Sequence, residues 1–301
     1  MRISGFSFAR NADKLGYPIA ESIRSILPIC DEFVIAVGKG DEGDRTRDMI
    51  IGIGSPKIRI IDTEWTDREK LKNLIYSQQT NIALSQCKGD WCFYIQADEV
   101  MHEKYLDIVS RRCGKLLSVE KVEGLLIGYR HFWGDYDHFQ AGHAWYPYEI
   151  RVFRNNIGVQ SIGDAQSFCR KGKKLHVGLS GAEIYHYGYV RDPRLMQKRN
   201  VEIVTTYLGK GETQKFYKDA SDTFDYGPLD KRFVFSGTHP KVMDKRIQEM
   251  NWKHLLADTG PDSTHYHHDK FKYRFLTSLE QKFLGGRQIG GFKNYVLLKD
   301  V

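Results

Sequence analysis

Hydrophobic and polar positions alternate in short blocks over the first hundred residues. Four runs, Ile3–Ala9, 33–37, 57–61 and 91–95, are rich in β-branched and aromatic residues and are bounded by Gly, Asp or Pro, the composition of sheet strands. Between the first two, Ile19, Ile23, Ile26 and Leu27 place one apolar stripe on a helix, with Pro18 at its first turn. Between the third and fourth, Leu71, Leu74, Ile75, Gln78 and Ile82 repeat at helical spacing, and Lys88-Gly89-Asp90 ends the segment before the next strand. This alternation predicts parallel strands joined by crossover helices.

Beyond residue 100 the pattern loosens. It predicts a helix over 105–117, strands at Gly124–Trp133, 149–154 and 183–190, and aromatic, Gly-containing loops at 133–147 and 161–178. The helical period returns at 196–208 and 242–256. Residues 270–301 mix Phe271, Phe275, Leu279 and Phe283 with Lys and Arg, an amphipathic segment suited to its own domain or to a membrane surface. There is no internal repeat.

Composition narrows the class. With 41% apolar and 28% charged residues in 301, the chain reads as globular. No apolar run approaches the roughly 18 residues of a membrane span, and the start MRISGFSFARN lacks a signal-peptide pattern, so the expected location is cytoplasmic. Cys30, Cys87, Cys92, Cys113 and Cys169 are odd in number and form no CxxC pair, which predicts reduced, mostly buried thiols. The net charge of +7 gathers in the C-terminal third, where residues 191–301 hold 20 Lys+Arg against 14 Asp+Glu. A basic face of that kind suits a phosphate-bearing substrate or an anionic lipid; without one dense basic run it does not indicate nucleic acid. His265-Tyr266-His267-His268, between Asp262 and Asp269, reads as a solvated loop rather than a metal site.

The chemistry concentrates at the end of the fourth strand, Tyr94-Ile95-Gln96-Ala97-Asp98-Glu99. Ligands of open α/β sheets bind at that carboxyl edge. Mg²⁺ and Mn²⁺ prefer carboxylate oxygens, taking one or two from protein and others from substrate phosphates. Asp98 is a candidate ligand on these grounds, or else a helix cap. His186, in Tyr185-His186-Tyr187-Gly188-Tyr189, is a second ligand if the chain returns it to this edge, and otherwise a hydrogen-bonded core histidine.

The order of segments resembles the family-2 glycosyltransferases with a GT-A fold, in particular those acting on lipopolysaccharide or capsule. The resemblance runs from Phe8-Ala9-Arg10-Asn11 through Asp31-Glu32, Gln79-Thr80-Asn81-Ile82-Ala83-Leu84, Gly89-Asp90-Trp91 and Gln96-Ala97-Asp98-Glu99. It continues to Arg151-Val152-Phe153-Arg154 and His186-Tyr187-Gly188-Tyr189. It implies a GT-A-like Rossmann-type mixed sheet with flanking helices over residues 1–192, divided into a nucleotide-binding half (1–100) and an acceptor half (101–192). A mainly helical extension over 193–301 would follow. It also implies an inverting, metal-dependent transferase that takes a UDP- or GDP-linked sugar to a saccharide or lipid-linked saccharide, in cell-surface polysaccharide or glycolipid synthesis at the inner face of a membrane.

By position, the resemblance assigns Mn²⁺ or Mg²⁺ to Asp98 and His186. The donor falls to Ala9, Arg10, Asn11, Val37, Gly38, Lys39, Asp62, Asn81, Gln96, Ala97 and Arg191. The acceptor falls to His131, Trp133 and Trp145, and the general base to Asp164, with Glu149 second. Two positions depart from the family pattern: Gln96 stands where the first aspartate of the metal motif is usual, and Gly38 stands where an aspartate meets the nucleoside. Two alternatives remain, a nucleotidyltransferase on a similar sheet and a non-catalytic carbohydrate-binding relative. The first is disfavoured because no Gly-rich, basic loop follows the first strand; Gln96 and Gly38 keep the second open.

Overall fold

A computed structural model describes residues 1–65, 74–260, 271–285, 287–291, 293–299 and 301. In chain order the elements are β1 Ile3–Ala9, α1 Ile19–Ile26, β2 Glu32–Gly38, α2 Thr46–Ile51, β3 Ile58–Thr63, α3 Ile75–Leu84, β4 Trp91–Tyr94, β5 Glu99–Met101 and α4 Leu106–Leu116. Then come β6 Gly124–Trp133, β7 His138–Gln140, β8 Tyr148–Arg154, β9 Val159–Ile162, β10 Ser167–Arg170 and β11 Leu175–Tyr189. The remainder comprises α5 Pro193–Leu208, α6 Lys210–Phe216, β12 Phe233–Val234, α7 Asp244–Gln248, α8 Phe271–Phe283 and β13 Tyr295–Leu297.

Eleven of the described strands form one mixed sheet in the order β12-β7-β6-β8-β4-β1-β2-β3, with β11 pairing with β6, β5 and β13, and β9 and β10 form a separate two-stranded sheet. β1 to β4 are mutually parallel where they pair, and β8 enters antiparallel between β4 and β6. Alternate β2 residues feed opposite layers. Phe33, Ile35 and Val37 pack with Ile19, Ile23 and Ile26 of α1, while Val34 and Ala36 pack with Ala83 and Leu84 of α3. Helices therefore cover both faces of the parallel half, as the pattern predicts, and the whole is the GT-A-like, Rossmann-type mixed sheet with flanking helices that the resemblance implies. Phe6 and Phe33 are wholly buried, each contributing about 1.5–3 kcal/mol of apolar burial. Gly5 permits the second of these, because a Cβ there would meet the Phe33 ring at 2.5 Å.

Four sequence expectations change in detail. The strand at 183–190 begins at Leu175, and residues 161–178 contain the β9–β10 hairpin rather than only a loop. The helical pattern over 242–256 breaks into 3₁₀ turns at Lys241–Met243 and Lys253–Leu255 around the short α7. Met243, Ile247, Met250 and Trp252 still reach a common core cluster, so the period reported burial without helix continuity. Among its described residues the amphipathic segment is helical over α8, and residues Tyr295–Leu297 form β13 against β11. Leu71 and the 265–268 histidine run, with Asp262 and Asp269, lie outside the described residues. The five cysteines are free, four of them buried; burial pushes the Cys113 thiol up to about 12.

Candidate active site

The loop after β4 is held from several directions. The Ser7 hydroxyl donates to the Ile95 carbonyl at 2.6 Å and the Ser22 hydroxyl to the Gln96 carbonyl at 2.8 Å. Glu99 accepts from the Gln96 backbone N–H at 3.0 Å, so the loop caps itself. Behind it, Arg151 donates from Nε and Nη2 to the Glu99 carboxylate at 3.0 and 2.8 Å, and the Tyr129 hydroxyl donates to the same group at 2.6 Å. Charge-assisted bonds of this number fix the backbone that carries Asp98.

Strand register then brings the second half of the site to that loop. β11 runs antiparallel to β5 with His186 opposite Glu99, and parallel to β6 with His186 opposite His131. The Tyr187 N–H donates to the Asp98 carbonyl at 2.8 Å. His186 Nε2 comes to 3.6 Å from Asp98 Oδ2, and both atoms lie over the α-carbon of Gly188. A Cβ at Gly188 would stand 2.6 Å from His186 Nε2 and 2.9 Å from Asp98 Oδ2. Burial works to raise the Asp98 carboxyl, but His186, Arg199 and Arg191 outweigh it and hold the group well below the usual carboxylate range.

This cradle fits a divalent ion of the Mn²⁺ or Mg²⁺ class. One carboxylate oxygen and one imidazole nitrogen converge on space that a methyl group would fill. No group of three or more His, Cys, Asp or Glu converges among the described residues, so remaining ligands would come from phosphate and water.

A cleft of about 220 Å³ opens beside the pair. Phe8, Ala9, Arg10, Tyr17, Trp65, Gln96, Ala97, Asp98, Asp164, Arg199, Glu202 and Tyr207 are among its lining residues. An adjoining cleft of about 540 Å³ at the ends of β2 and β3 is lined by Val37, Gly38, Lys39, Asp62 and neighbours. Arg10 and Asn11 tie the two loops together. Arg10 donates to the Lys39 carbonyl at 3.0 Å and pairs with Asp41 and Glu202, while Asn11, at φ +53°, exchanges hydrogen bonds with Asp41. The Trp65 indole sits against the α-carbon of Gly38, and its N–H, buried, has no partner. An aspartate side chain at 38 would collide with that ring.

Arg191 is 2% exposed, and its Nε, Nη1 and Nη2 have no hydrogen-bond partner. Its guanidinium lies 4.5 Å over the Tyr17 ring, and burial lowers its basicity. Arg199 donates to the Tyr17 hydroxyl at 3.0 Å. A buried guanidinium without a hydrogen-bonded anion is costly; Asp98 offsets part of that cost through space, and a bound anion would supply the missing hydrogen bonds.

The other sequence candidates are placed as follows. Asp62 pairs with Arg47 at the rim of the larger cleft, exposed. Asn81 does not line either cleft; it exchanges hydrogen bonds with the Ser161 backbone at 3.0 and 2.8 Å and pins the β9–β10 hairpin to α3. Glu149 is buried under Gln166 and Asn294, which donate to it at 2.8 and 2.9 Å, away from the cleft; burial raises its carboxyl. Asp164 reaches the same cleft as Asp98. His131, Trp133 and Trp145 are 2%, 0% and 6% exposed. Trp133 stacks on Tyr189 at 4.8 Å and its indole donates to the Tyr226 carbonyl, so it presents no ring face to solvent.

No protein-family model matches the sequence. No curated protein matches it either. Solved structures similar to parts of the chain include glucosyl-3-phosphoglycerate synthase from Mycobacterium tuberculosis. Its complex with Mn²⁺, UDP and phosphoglyceric acid is 20% identical over 42% of each chain, at a TM-score of 0.30. Its complex with Mn²⁺ and UDP-glucose is 21% identical over 43% of this chain and 44% of that one, at 0.31. The similarity thus spans well under half of either protein.

Several residues that build the site carry no role in the sequence reading. Tyr17, Trp65, Arg199 and Glu202 come from unremarkable segments, and only the fold brings them to the cleft. Arg151 and Gly188 stand inside the quoted motifs, but Arg151's partner is 52 residues away, and no spacing rule shows it.

Proposed function

We propose that the chain transfers a sugar from a nucleoside-diphosphate donor to an acceptor hydroxyl. The observation that carries this reading is the Asp98–His186 cradle at the edge of the cleft that Asp98, Asp164 and Arg199 line at the carboxyl ends of β1 and β4, with the buried Arg191 guanidinium, which makes no hydrogen bond, acting electrostatically on Asp98. A carboxylate and an imidazole with two arginines nearby suit a group that is itself anionic and able to bind a metal ion, which a diphosphate is.

In this reading Ala9, Arg10, Asn11, Val37, Gly38, Lys39, Gln96 and Ala97 form the donor shell, with the base against Trp65 where Gly38 leaves room. Asp98 and His186 would hold a divalent ion, which when bound would supply positive charge opposite the departing diphosphate. Arg191 and Arg199 neutralise the same charge as it develops. Asp164, across the cleft, accepts the proton of the attacking hydroxyl, and displacement on the face opposite the leaving group inverts the anomeric centre. Glu149, bonded to Gln166 and Asn294 and away from the cleft, is the weaker base. Residues 1–192 act as the catalytic unit and 193–301 as an extension whose α5 supplies one cleft wall.

The acceptor is a saccharide or lipid-linked saccharide of cell-surface polysaccharide or glycolipid synthesis, met at the inner face of a membrane. The exposed Phe271, Phe275 and Phe283 of α8, interleaved with Lys272, Arg274 and Lys282, support peripheral contact. No helix among the described residues is long and apolar enough to cross a membrane.

Thermal melting with UDP, GDP, CDP and ADP, each with and without Mn²⁺, tests the donor site. One diphosphate with Mn²⁺ should stabilise the protein by about 2.7 kcal/mol at a hundredfold excess over Kd. No shift with any of them would sink the reading.

A further inference from the structure

His131 borders the site in sequence as an acceptor residue, but its ring nitrogens are engaged elsewhere. It is 2% exposed. Its Nε2 lies 2.8 Å from the Tyr146 carbonyl oxygen and its Nδ1 lies 3.1 Å from Nδ1 of His186. Trp145 and Tyr146 pack on the ring at centroid separations of 4.9 and 4.5 Å.

A carbonyl oxygen only accepts, so Nε2 of His131 carries a hydrogen. In the neutral ring, Nδ1 of His131 is then the acceptor, and Nδ1 of His186 must donate to it. When His186 is neutral, its remaining nitrogen, Nε2, keeps its lone pair, and this is the atom that faces Asp98 Oδ2 at 3.6 Å. Across that gap the lone pair and the carboxylate repel unless a proton on Nε2 or a metal ion lies between them, and a divalent ion would take the place of that proton.

We infer that His131 is a positioning residue for the metal ion: through the Tyr146 carbonyl it fixes the His186 tautomer that turns the Nε2 lone pair toward Asp98. The inference rests on the metal-bearing site proposed above. Partners of this kind, which orient a ligating histidine through its other nitrogen, typically change metal affinity 10–100-fold. The strand register enforces the arrangement, because His131 and His186 are direct partners across β6 and β11.

The test is Mn²⁺ binding to the full chain, read by electron paramagnetic resonance of the free ion, in parallel series with UDP and with GDP. His131→Phe keeps an aromatic ring between Trp145 and Tyr146 but removes both nitrogens; His131→Leu replaces it if phenylalanine does not fold. Either should weaken Mn²⁺ binding about 10–100-fold. His131→Gln, which can accept from His186 and donate to the carbonyl, should recover most of the loss. Affinity of the apolar variant within twofold of the unaltered protein overturns the inference alone, as does a His131→Gln loss equal to that of the apolar variant. Absence of Mn²⁺ binding by the unaltered protein overturns the proposed function as well. Asp98→Ala separates the cases, because it must lose Mn²⁺ under the first reading whatever His131 does.

Discussion

Arg151 grips Glu99 through two hydrogen bonds with both side chains fully buried, and Glu99 in turn caps the backbone N–H of Gln96. A strand in the antiparallel half of the sheet thereby sets the conformation of a loop in the parallel half. Removing one member of a buried pair leaves an uncompensated charge, at a typical cost of about 3–5 kcal/mol. Arg151→Met should lower stability by that amount in urea denaturation. At temperatures where it remains folded it should bind nucleotide more weakly, because Asp98 rides on the freed loop.

Gly188 tests the cradle with a single methyl group. Its φ is not in the left-handed region, so alanine brings no backbone strain there, only a Cβ at 2.6 Å from His186 Nε2. Gly188→Ala is expected to keep its melting temperature within a few degrees while Mn²⁺-dependent nucleotide binding falls at least tenfold, about 1.4 kcal/mol. Isothermal titration with and without Mn²⁺ reads the difference; equal affinities would remove the cradle.

Arg191 should give changes of opposite sign in two assays. Its guanidinium is buried and unpartnered in the ligand-free protein, so Arg191→Met should leave the melting temperature unchanged or raise it. The same substitution removes charge-assisted bonds to a diphosphate, each about 1.5–3 kcal/mol, and nucleotide affinity should fall tenfold or more.

Stability against acid follows from Asp98. Its carboxyl is held below the value it takes in an unfolded chain, about 3.9, so the ionised form stabilises the fold above that pH. This contribution fades as pH falls below about 4 toward the depressed value. Asp98→Asn should flatten the acid limb of a stability profile between about pH 4 and 2. An unchanged limb would show that other carboxylates dominate there.

Asp164 separates binding from turnover. Asp164→Asn should retain nucleotide and Mn²⁺ binding and lose 10²-fold or more in transfer rate, the low end of general-base catalysis. Transfer at the original rate would move the base to another residue.

The parallel strands and their helices were legible because period and length coincide there: β1 and β6 match their sequence runs end to end. Asp98 was legible as a residue at a strand's carboxyl edge. The return of His186 to it depends on the β5–β11 register, a relation between segments that no local pattern encodes. The same holds for His131, whose aromatic surroundings suggest sugar stacking until the pairing shows it facing His186. The interrupted helix at 242–256 has the opposite cause, since its apolar spacing is real but serves three separate turns.

Arg199, Glu202 and Tyr207 reach the cleft from α5, and Glu202 is clasped by Arg10 of the β1 loop. The boundary proposed near residue 193 would therefore run through the cavity instead of beside it. Exchanging the segment beyond that point for another sequence would replace one wall of the chamber and, with Arg199, one of the charges that act on Asp98. Two stretches far apart in the sequence thus answer to one cavity, and a change in either is felt by the other across it.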